Sequence, residues 1–281
     1  MAAAESEAVG NWRGALALRF ARRGERTAVV RRRHEGPFCI QRPFYPGDGA
    51  CHVYLLHPPG GLAAGDELVL DVEVESGAAA LLTTPASTKF YRSDDAPSVQ
   101  SQTLRIAADA SLEWLPLDTI LFGGSRARIA TDIRLDTAGR FMGWEIVALG
   151  RPLSGDRYTS GTLEQRTRIE IDGEPVLAER LCWSAGDPWL TAPFGLADFG
   201  VCGAVYAYPA DDRLLALVRE RLDAATQFSL RLGATLLGRL LVVRGLGNDC
   251  EALRESFERV WTALRAAVIG AVPSAPRIWR T

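Results

Sequence analysis

The chain of 281 residues contains 47% hydrophobic and 23% charged residues, the composition of an ordinary globular protein with one large core or two small ones. Its formal net charge of -2, without a dense basic run interleaved with aromatic residues, argues against nucleic acid or an anionic membrane as partner. Residues 1–10 are acidic where a secretory signal would be basic, and the longest apolar run, 233–243, is too short to span a bilayer. Five cysteines without paired spacing predict reduced thiols, and we expect a cytoplasmic protein.

Alternating apolar and charged residues predict β-strands over most of the chain. In residues 68–75 every second side chain is aliphatic, which is typical of a half-buried strand. Strand-like segments flank Gly77, Asp109, Gly139 and Gly173, and we interpret each as a hairpin-like unit. Their spacing of about thirty residues indicates a layered or superhelical β-body, although the side chains do not repeat.

The periodicity changes to helical after Tyr208. A first helix is predicted from 209–211, and Asn248 with Glu251 resembles the capping box of a second helix. Residues 240–244 between them indicate a buried strand.

We therefore predict a mainly β fold with a small C-terminal α-helical portion. The chain is interpreted as a single domain, 1–281, with a β-rich body at 1–208 and a helix-containing portion at 209–281. Trp279 places a large aromatic side chain near the chain end, so we expect residues 276–281 to be docked against the body.

Catalytic motifs are absent from the sequence. It contains no phosphate-binding G-x-x-x-x-G-K-[ST], no G-x-S-x-G elbow and no H-E-x-x-H zinc helix. Cys39, Cys51, His52 and His57 offer borderline metal ligands, but their irregular spacing favours structural or incidental roles over a closed site. Lys89 is the one lysine, and we interpret it as an ordinary surface or salt-bridge residue.

Three acids lie among apolar neighbours: Glu113, Asp118 and Glu145. A pair of acids could hydrolyse a glycosidic bond, but only at a defined separation that spacing along different strands does not show. Strand alternation favours the simpler reading that such an acid faces solvent.

A set of short segments in a fixed order resembles the urease accessory protein UreD/UreH family over nearly the whole chain. These segments are HPPGG at 57–61, GD at 65–66, TT at 83–84, KFYRS at 89–93, LEWLP at 112–116, GRP at 150–152 and RIW at 277–279. Pro85, Leu117-Asp118 and Asp156 depart from the family pattern, which affects local contacts only.

The resemblance implies a maturation factor rather than an enzyme. Such a factor assembles with UreF and the GTPase UreG on apo-urease and assists nickel delivery, without a tightly bound cofactor or a small-molecule substrate. Two other interpretations remain open: a β-helical carbohydrate-active enzyme using Glu113 and Asp118, and a β-rich binding module without metal.

Within the resemblance, we expect nickel to bind only transiently, because oxygen and imidazole ligands release a divalent ion more readily than a thiolate cage. The expected nickel path comprises His57, Asp66, Glu145, Asp156 and Glu164. The expected partner contacts comprise Lys89, Tyr91, Arg92, Arg277 and Trp279.

Overall fold

The computed structural model describes residues 12–224 and 229–280, and most of them lie in β-strands. The first strands are β1 (Arg13–Arg23), β2 (Arg26–Glu35), β3 (Cys39–Ile40), β4 (Cys51–Leu56), β5 (Gly61–Leu62), β6 (Glu67–Val74), β7 (Ala79–Thr83), β8 (Thr88–Phe90), β9 (Ser98–Ile106), β10 (Ser111–Leu115) and β11 (Thr119–Leu121). The later strands are β12 (Ser125–Leu135), β13 (Arg140–Arg151), β14 (Asp156–Arg157), β15 (Gly161–Ile171), β16 (Glu174–Ser184), β17 (Val201–Tyr208), β18 (Leu230–Leu237) and β19 (Leu240–Gly247).

Two α-helices complete the fold, α1 (Asp212–Ala224) and α2 (Cys250–Val268). Short 3-10 turns lie at Pro152–Ser154, Pro188–Leu190 and Arg277–Arg280. Among residues 12–224 and 229–280, no helix has the length and apolar character needed to cross a membrane.

The strands form two stacked sheets. One has seven strands in the order β16-β15-β12-β9-β6-β1-β2, and the other has the main path β18-β19-β17-β13-β10-β7-β4-β3. Neighbours β1, β6, β9, β12 and β15 are parallel in the first sheet, as are β4, β7, β10 and β13 in the second. The chain thus crosses to the second sheet and back in each coil, which confirms the predicted mainly β, superhelical body.

The hairpin interpretation is wrong for three of the four turns. The chain turns at Gly77, Asp109 and Gly139, but the strands on either side of each turn belong to different sheets. Only the turn at Gly173 joins a true antiparallel hairpin, β15 with β16. The sequence cannot distinguish a hairpin within one sheet from a turn that connects the two sheets. Both have alternating strands and a turn residue with positive φ, such as Gly77 at +71°.

The main core lies between the sheets, and a second core lies on the far face of the second sheet. There α1 and α2 cover the strands, with Trp144, Val218, Phe257 and Trp261 buried together. Helices on one face and a sheet on the other bury both faces of β10 and β13, whose sequences therefore show little alternation.

The helical predictions hold with one correction. Helix α1 begins at Asp212, next to the predicted start, and β19 includes the predicted strand. The cap of α2 is Asp249, whose carboxylate accepts hydrogen bonds from the backbone N–H groups of Glu251 (2.9 Å) and Ala252 (3.3 Å). Asn248 instead accepts a hydrogen bond from the Gly200 N–H at 2.8 Å, so the predicted capping residue was one position early.

The C-terminal end is docked, as predicted. The Trp279 ring centroid lies 5.5 Å from that of Trp144 and 5.8 Å from that of Trp261. Its indole N–H donates to the Thr83 hydroxyl oxygen at 2.9 Å. The end of the chain therefore completes the second core.

Candidate functional site

A cavity of about 230 Å³ lies between the two sheets. Its walls come from the end of β4 and the following His57–Gly60 turn, from the inner faces of β6, β9 and β12, and from β13 opposite. The prolines and glycines after His57 end β4 and turn the chain: the Gly60 N–H donates to the His57 carbonyl at 2.8 Å. This turn fixes one rim of the cavity.

Three polar atoms without a protein partner belong to residues that line this cavity. They are His57 Nε2, Gln100 Oε1 and Trp114 Nε1, all buried and without a hydrogen bond within the described residues. Buried polar atoms are normally hydrogen-bonded, so three at one cavity indicate a polar content such as water or a hydrated ion.

Glu145 is the acid that lines this cavity. Its carboxylate accepts hydrogen bonds from the Thr131 hydroxyl, from Gln165 Nε2 at 3.1 Å and from the Thr167 hydroxyl at 3.0 Å. Burial raises the pKa of Glu145, and the hydrogen bonds from Thr131, Thr167 and Gln165 oppose that rise.

Two of the hydrogen-bond donors to Glu145, Thr131 and Thr167, belong to a polar row across the first sheet. Strand register places Gln102, Thr131, Thr167 and Glu179 side by side on β9, β12, β15 and β16. Gln102 Nε2 donates to the Thr131 hydroxyl oxygen at 2.8 Å. The row therefore crosses an otherwise apolar core opposite Glu145.

A second cavity, of about 520 Å³, adjoins the first. Glu145, Val147 and Gln165 line both cavities. The second cavity continues past Glu179 and Cys202 to the loop that carries Trp189 and Phe194, of which 54% and 78% respectively are exposed. The polar row thus leads from the first cavity to an apolar loop at the surface.

Burial favours the neutral forms of His57 and Cys202 in the cavity walls. Burial lowers the pKa of His57, and the nearby carboxylate of Asp66 opposes this shift only in part. The imidazole is therefore neutral at pH 7 and can accept a hydrogen bond or coordinate a metal ion. Burial raises the pKa of the Cys202 thiol to about 12, which removes it as a thiolate ligand.

The structure brings two of the five expected nickel-path residues, His57 and Glu145, to the same cavity. Asp66 instead holds a turn by accepting from the Ala63 N–H at 2.8 Å. Asp156 pairs with Arg151 at 3.0 Å, and Glu164 pairs with Arg180 at 2.8 Å on the solvent side of β15. These three side chains are satisfied by other contacts outside the cavities.

The expected partner contacts fall into two groups. Lys89 is half-buried on β8, Tyr91 stacks on Phe122 at 5.4 Å, and Arg92 pairs with Asp94 at 3.0 Å. Arg277 is exposed, whereas Trp279 contacts the second core rather than solvent. The role of these residues in partner binding stays a prediction. For Trp279 the structure shows a packing role inside the fold.

The solvent-facing interpretation of Glu113 and Glu145 is wrong, because β10 and β13 are buried on both faces. Glu113 accepts from Arg265 Nε at 2.9 Å and from the Trp261 indole at 2.6 Å. Asp118 is also buried, but it does not share a cavity with Glu113.

The cysteine and histidine cluster does not form a closed metal site. His52 Nε2 bonds Asp48 at 2.8 Å, while His57 faces the cavity. Within the part of the chain that the structure describes, no three His, Cys, Asp or Glu side chains come together to hold a metal ion. Any divalent ion at Glu145 would be held by few ligands.

Sequence reasoning missed the polar row. Its signal is a polar residue at the inward position of a strand: Gln102 alternates with Leu104, and Thr131 with Ile133. Polar residues at matching positions of neighbouring coils would have indicated the row.

Comparison with known proteins gives a consistent result. Residues 13–280 match the family described as UreD urease accessory protein. The chain is similar to the urease accessory protein UreD of Alkalilimnicola ehrlichii, with 50% identity over 96% of this chain and 92% of that protein. It is also similar to the UreD proteins of Pseudomonas entomophila, at 43% identity over 96% and 95%, and of Klebsiella aerogenes, at 40% over 96% and 97%. The chain therefore belongs to the UreD family of urease accessory proteins, which are maturation factors and not enzymes.

Proposed function

We propose that this protein assists nickel delivery to apo-urease in the cytoplasm, as a scaffold that assembles with UreF and the GTPase UreG. Nickel is the cargo and not a resident cofactor. The ion passes between the two sheets, along the polar row and past Glu145.

The observation that carries this proposal is the position of Glu145. Its carboxylate lies in the wall that the two cavities share, opposite hydroxyl and amide groups of the two neighbouring strands β12 and β15. One carboxylate with neutral oxygen donors attracts a divalent cation without enclosing it, and a borderline ion such as nickel accepts oxygen and imidazole ligands. Weak binding of this kind allows the ion to leave.

The size and polarity of the cavities suit an ion that keeps part of its water shell. Volumes of about 230 Å³ and 520 Å³ have room for several water molecules at about 30 Å³ each. The unpartnered atoms of His57, Gln100 and Trp114 offer hydrogen bonds to such waters. The ion need not lose its whole shell at any one residue.

The far end of the second cavity supports a scaffolding role. Trp189 and Phe194 pack edge to face at 5.1 Å and remain largely exposed beside the cavity. Exposed aromatic side chains are typical of protein interfaces. A partner docked on this loop would continue the passage without exposing the ion to solvent.

Co-expression with urease and its accessory proteins tests the proposal. Glu145→Gln should leave co-purification of the complex unchanged and lower the nickel content and activity of the product urease. Glu164→Gln is the matched control, because Glu164 lines neither cavity and its side chain pairs with Arg180. Normal nickel content with Glu145→Gln, or a loss explained by dissociation of the complex, would refute the passage.

A further inference from the structure

The solvent side of the seven-stranded sheet is covered by paired charges. Arginines of β1, β9, β12, β15 and β16 lie within 4.0 Å of carboxylates on the same or neighbouring strands. The pairs are Arg13–Glu67, Arg19–Glu75, Arg105–Asp71, Arg128–Glu164, Arg134–Glu170, Arg166–Asp132, Arg168–Glu170 and Arg180–Glu164. At these positions the positive charge is compensated by neighbouring carboxylates.

At the edge of the same sheet, by contrast, several arginines have no carboxylate partner in the part of the chain that the structure describes. The hairpin of β1 and β2 carries six exposed arginines that form no ion pair within the described residues: Arg22, Arg23, Arg26, Arg31, Arg32 and Arg33. Arg22 donates to the Gly24 carbonyl at 2.9 Å, and Arg26 lies over the Tyr45 ring. Of the two carboxylates in the hairpin, Glu35 is already paired with Arg13 at 2.9 Å, and Glu25 in the turn forms no ion pair within the described residues, so the arginines outnumber the free carboxylate. In a chain of net charge -2, this edge concentrates uncompensated positive charge.

Among residues 12–224 and 229–280, no strand pairs with the outer edge of β2. Strand β2 is the last strand of the sheet, and residues 30–35 are exposed. Alternation places Arg31 and Arg33 on one side of the strand and Arg32 and His34 on the other. The strand therefore offers an open row of backbone N–H and C=O groups with cations above and below it.

We propose that the β1–β2 edge binds an acidic, extended segment of a partner protein, which adds to the sheet as a further strand. Backbone hydrogen bonds to β2 would supply affinity, and alternate acidic side chains would pair with the unpaired arginines. This site is separate from the nickel passage and does not depend on it.

The surface fits an acidic protein segment better than other anions. Residues 22–35 contain no Phe, Tyr or Trp on which nucleic acid bases could stack. Val30, 39% exposed, is the one exposed large apolar residue of the hairpin, so the edge lacks an apolar face to insert into a membrane.

Fluorescence anisotropy with the full-length protein tests the proposal. The probe is a labelled twelve-residue peptide of alternating Glu and Val, and a second peptide has the same charges with proline in place of valine. Arg31→Glu with Arg33→Glu should weaken binding of the first peptide by about tenfold or more, the equivalent of about two ion pairs. The charge-matched control, Arg213→Glu with Arg221→Glu on α1, should stay within about twofold of the unsubstituted protein.

The proline peptide should bind at least about tenfold more weakly, since it cannot pair as a strand. A milder variant, Arg31→Gln with Arg33→Gln, checks the result if the charge reversal lowers the melting temperature. Equal binding by the variants, equal binding of the proline peptide, or no saturable binding would overturn the proposal. The proposal would also be overturned if duplex DNA or phosphatidylserine vesicles bound this edge more tightly than the peptide. The same holds if the variants differed from the unsubstituted protein only in self-association.

Discussion

Replacing Arg265 with leucine should destabilise the protein more than any change at a surface ion pair. Arg265 is fully buried on α2. Its guanidinium donates to both carboxylate oxygens of Glu113, to Asp48 Oδ2 at 2.7 Å and to the Val272 carbonyl. One side chain thus connects α2, β10, the segment before β4 and the C-terminal end.

The expected loss follows from what leucine leaves behind. Glu113 keeps the indole N–H of Trp261, and Asp48 keeps His52, but the compensating positive charge of Arg265 is gone. Removing one partner of a buried ion pair costs about 3–5 kcal/mol, since the remaining charge stays away from water. For a chain of this length that loss lowers the melting temperature by about 6–10 °C.

The pKa of Asp48 gives the same cluster a pH signature. Burial alone would raise this pKa, but His52 and Arg265 outweigh burial and lower it to about 2. A depressed carboxylate pKa stabilises the fold above the unfolded value and loses that contribution as pH falls towards the folded value. The destabilisation by Arg265→Leu should therefore be full at pH 7 and shrink below about pH 4.

Thermal unfolding by circular dichroism at pH 7 measures the effect. Arg259→Leu is the control on the same helix, because this arginine is 51% exposed and lies 4.0 Å from Glu255, a pair worth about 1 kcal/mol at most. Adding Asp48→Asn and Glu113→Gln to Arg265→Leu should recover part of the loss by removing the uncompensated charges. Equal melting of the Arg265 and Arg259 variants, or no recovery in the triple variant, would refute this reasoning.

Two further predictions concern single side chains. Trp279→Ala should lower the free energy of unfolding in urea by about 2–4 kcal/mol, because it opens a cavity beside Trp144 and Trp261 and removes the hydrogen bond to Thr83. Trp279→Phe removes only the hydrogen bond and should cost about 1 kcal/mol. If both variants unfolded at the same urea concentration as the unsubstituted protein, the docked end would not stabilise the core. Glu145→Gln should gain stability relative to the unsubstituted protein as pH rises from 5 to 8, because a raised pKa makes the ionised form costly in the fold. A difference in melting temperature that is constant over this pH range would contradict the direction of that pKa shift.

The sequence was sufficient for the strands beside the turns at Gly77, Asp109, Gly139 and Gly173, for β19 and for both helices, because alternation and helical spacing depend on neighbours along the chain. The edge strands β1 and β2 were not predicted. It could not specify strand pairing: the turns at Gly77 and Asp109 connect two sheets, whereas the turn at Gly173 joins a hairpin. Strands β6, β9 and β12 pair with strands about thirty residues further along the chain, whereas the hairpin of β15 and β16 is local.

The candidate site could likewise be predicted only in part from the sequence. Glu145 was recognisable as an acid among apolar residues, but its neighbours come from β12 and β15, so only the fold brings them together. The placement of Glu164 could have been read from the sequence: Leu163, Gln165 and Thr167 alternate inward on β15, which puts Glu164 on the solvent side.

The most direct test of the passage is nickel transfer to apo-urease in the presence of excess EDTA. The purified complex of urease and its accessory proteins is loaded with nickel, EDTA is added, and the nickel bound to urease is measured after GTP hydrolysis starts. An enclosed path predicts that the unsubstituted protein transfers nickel despite EDTA and that Glu145→Gln transfers much less. Complete capture of the nickel by EDTA with the unsubstituted protein, or equal transfer by Glu145→Gln, would contradict passage of the ion through this protein.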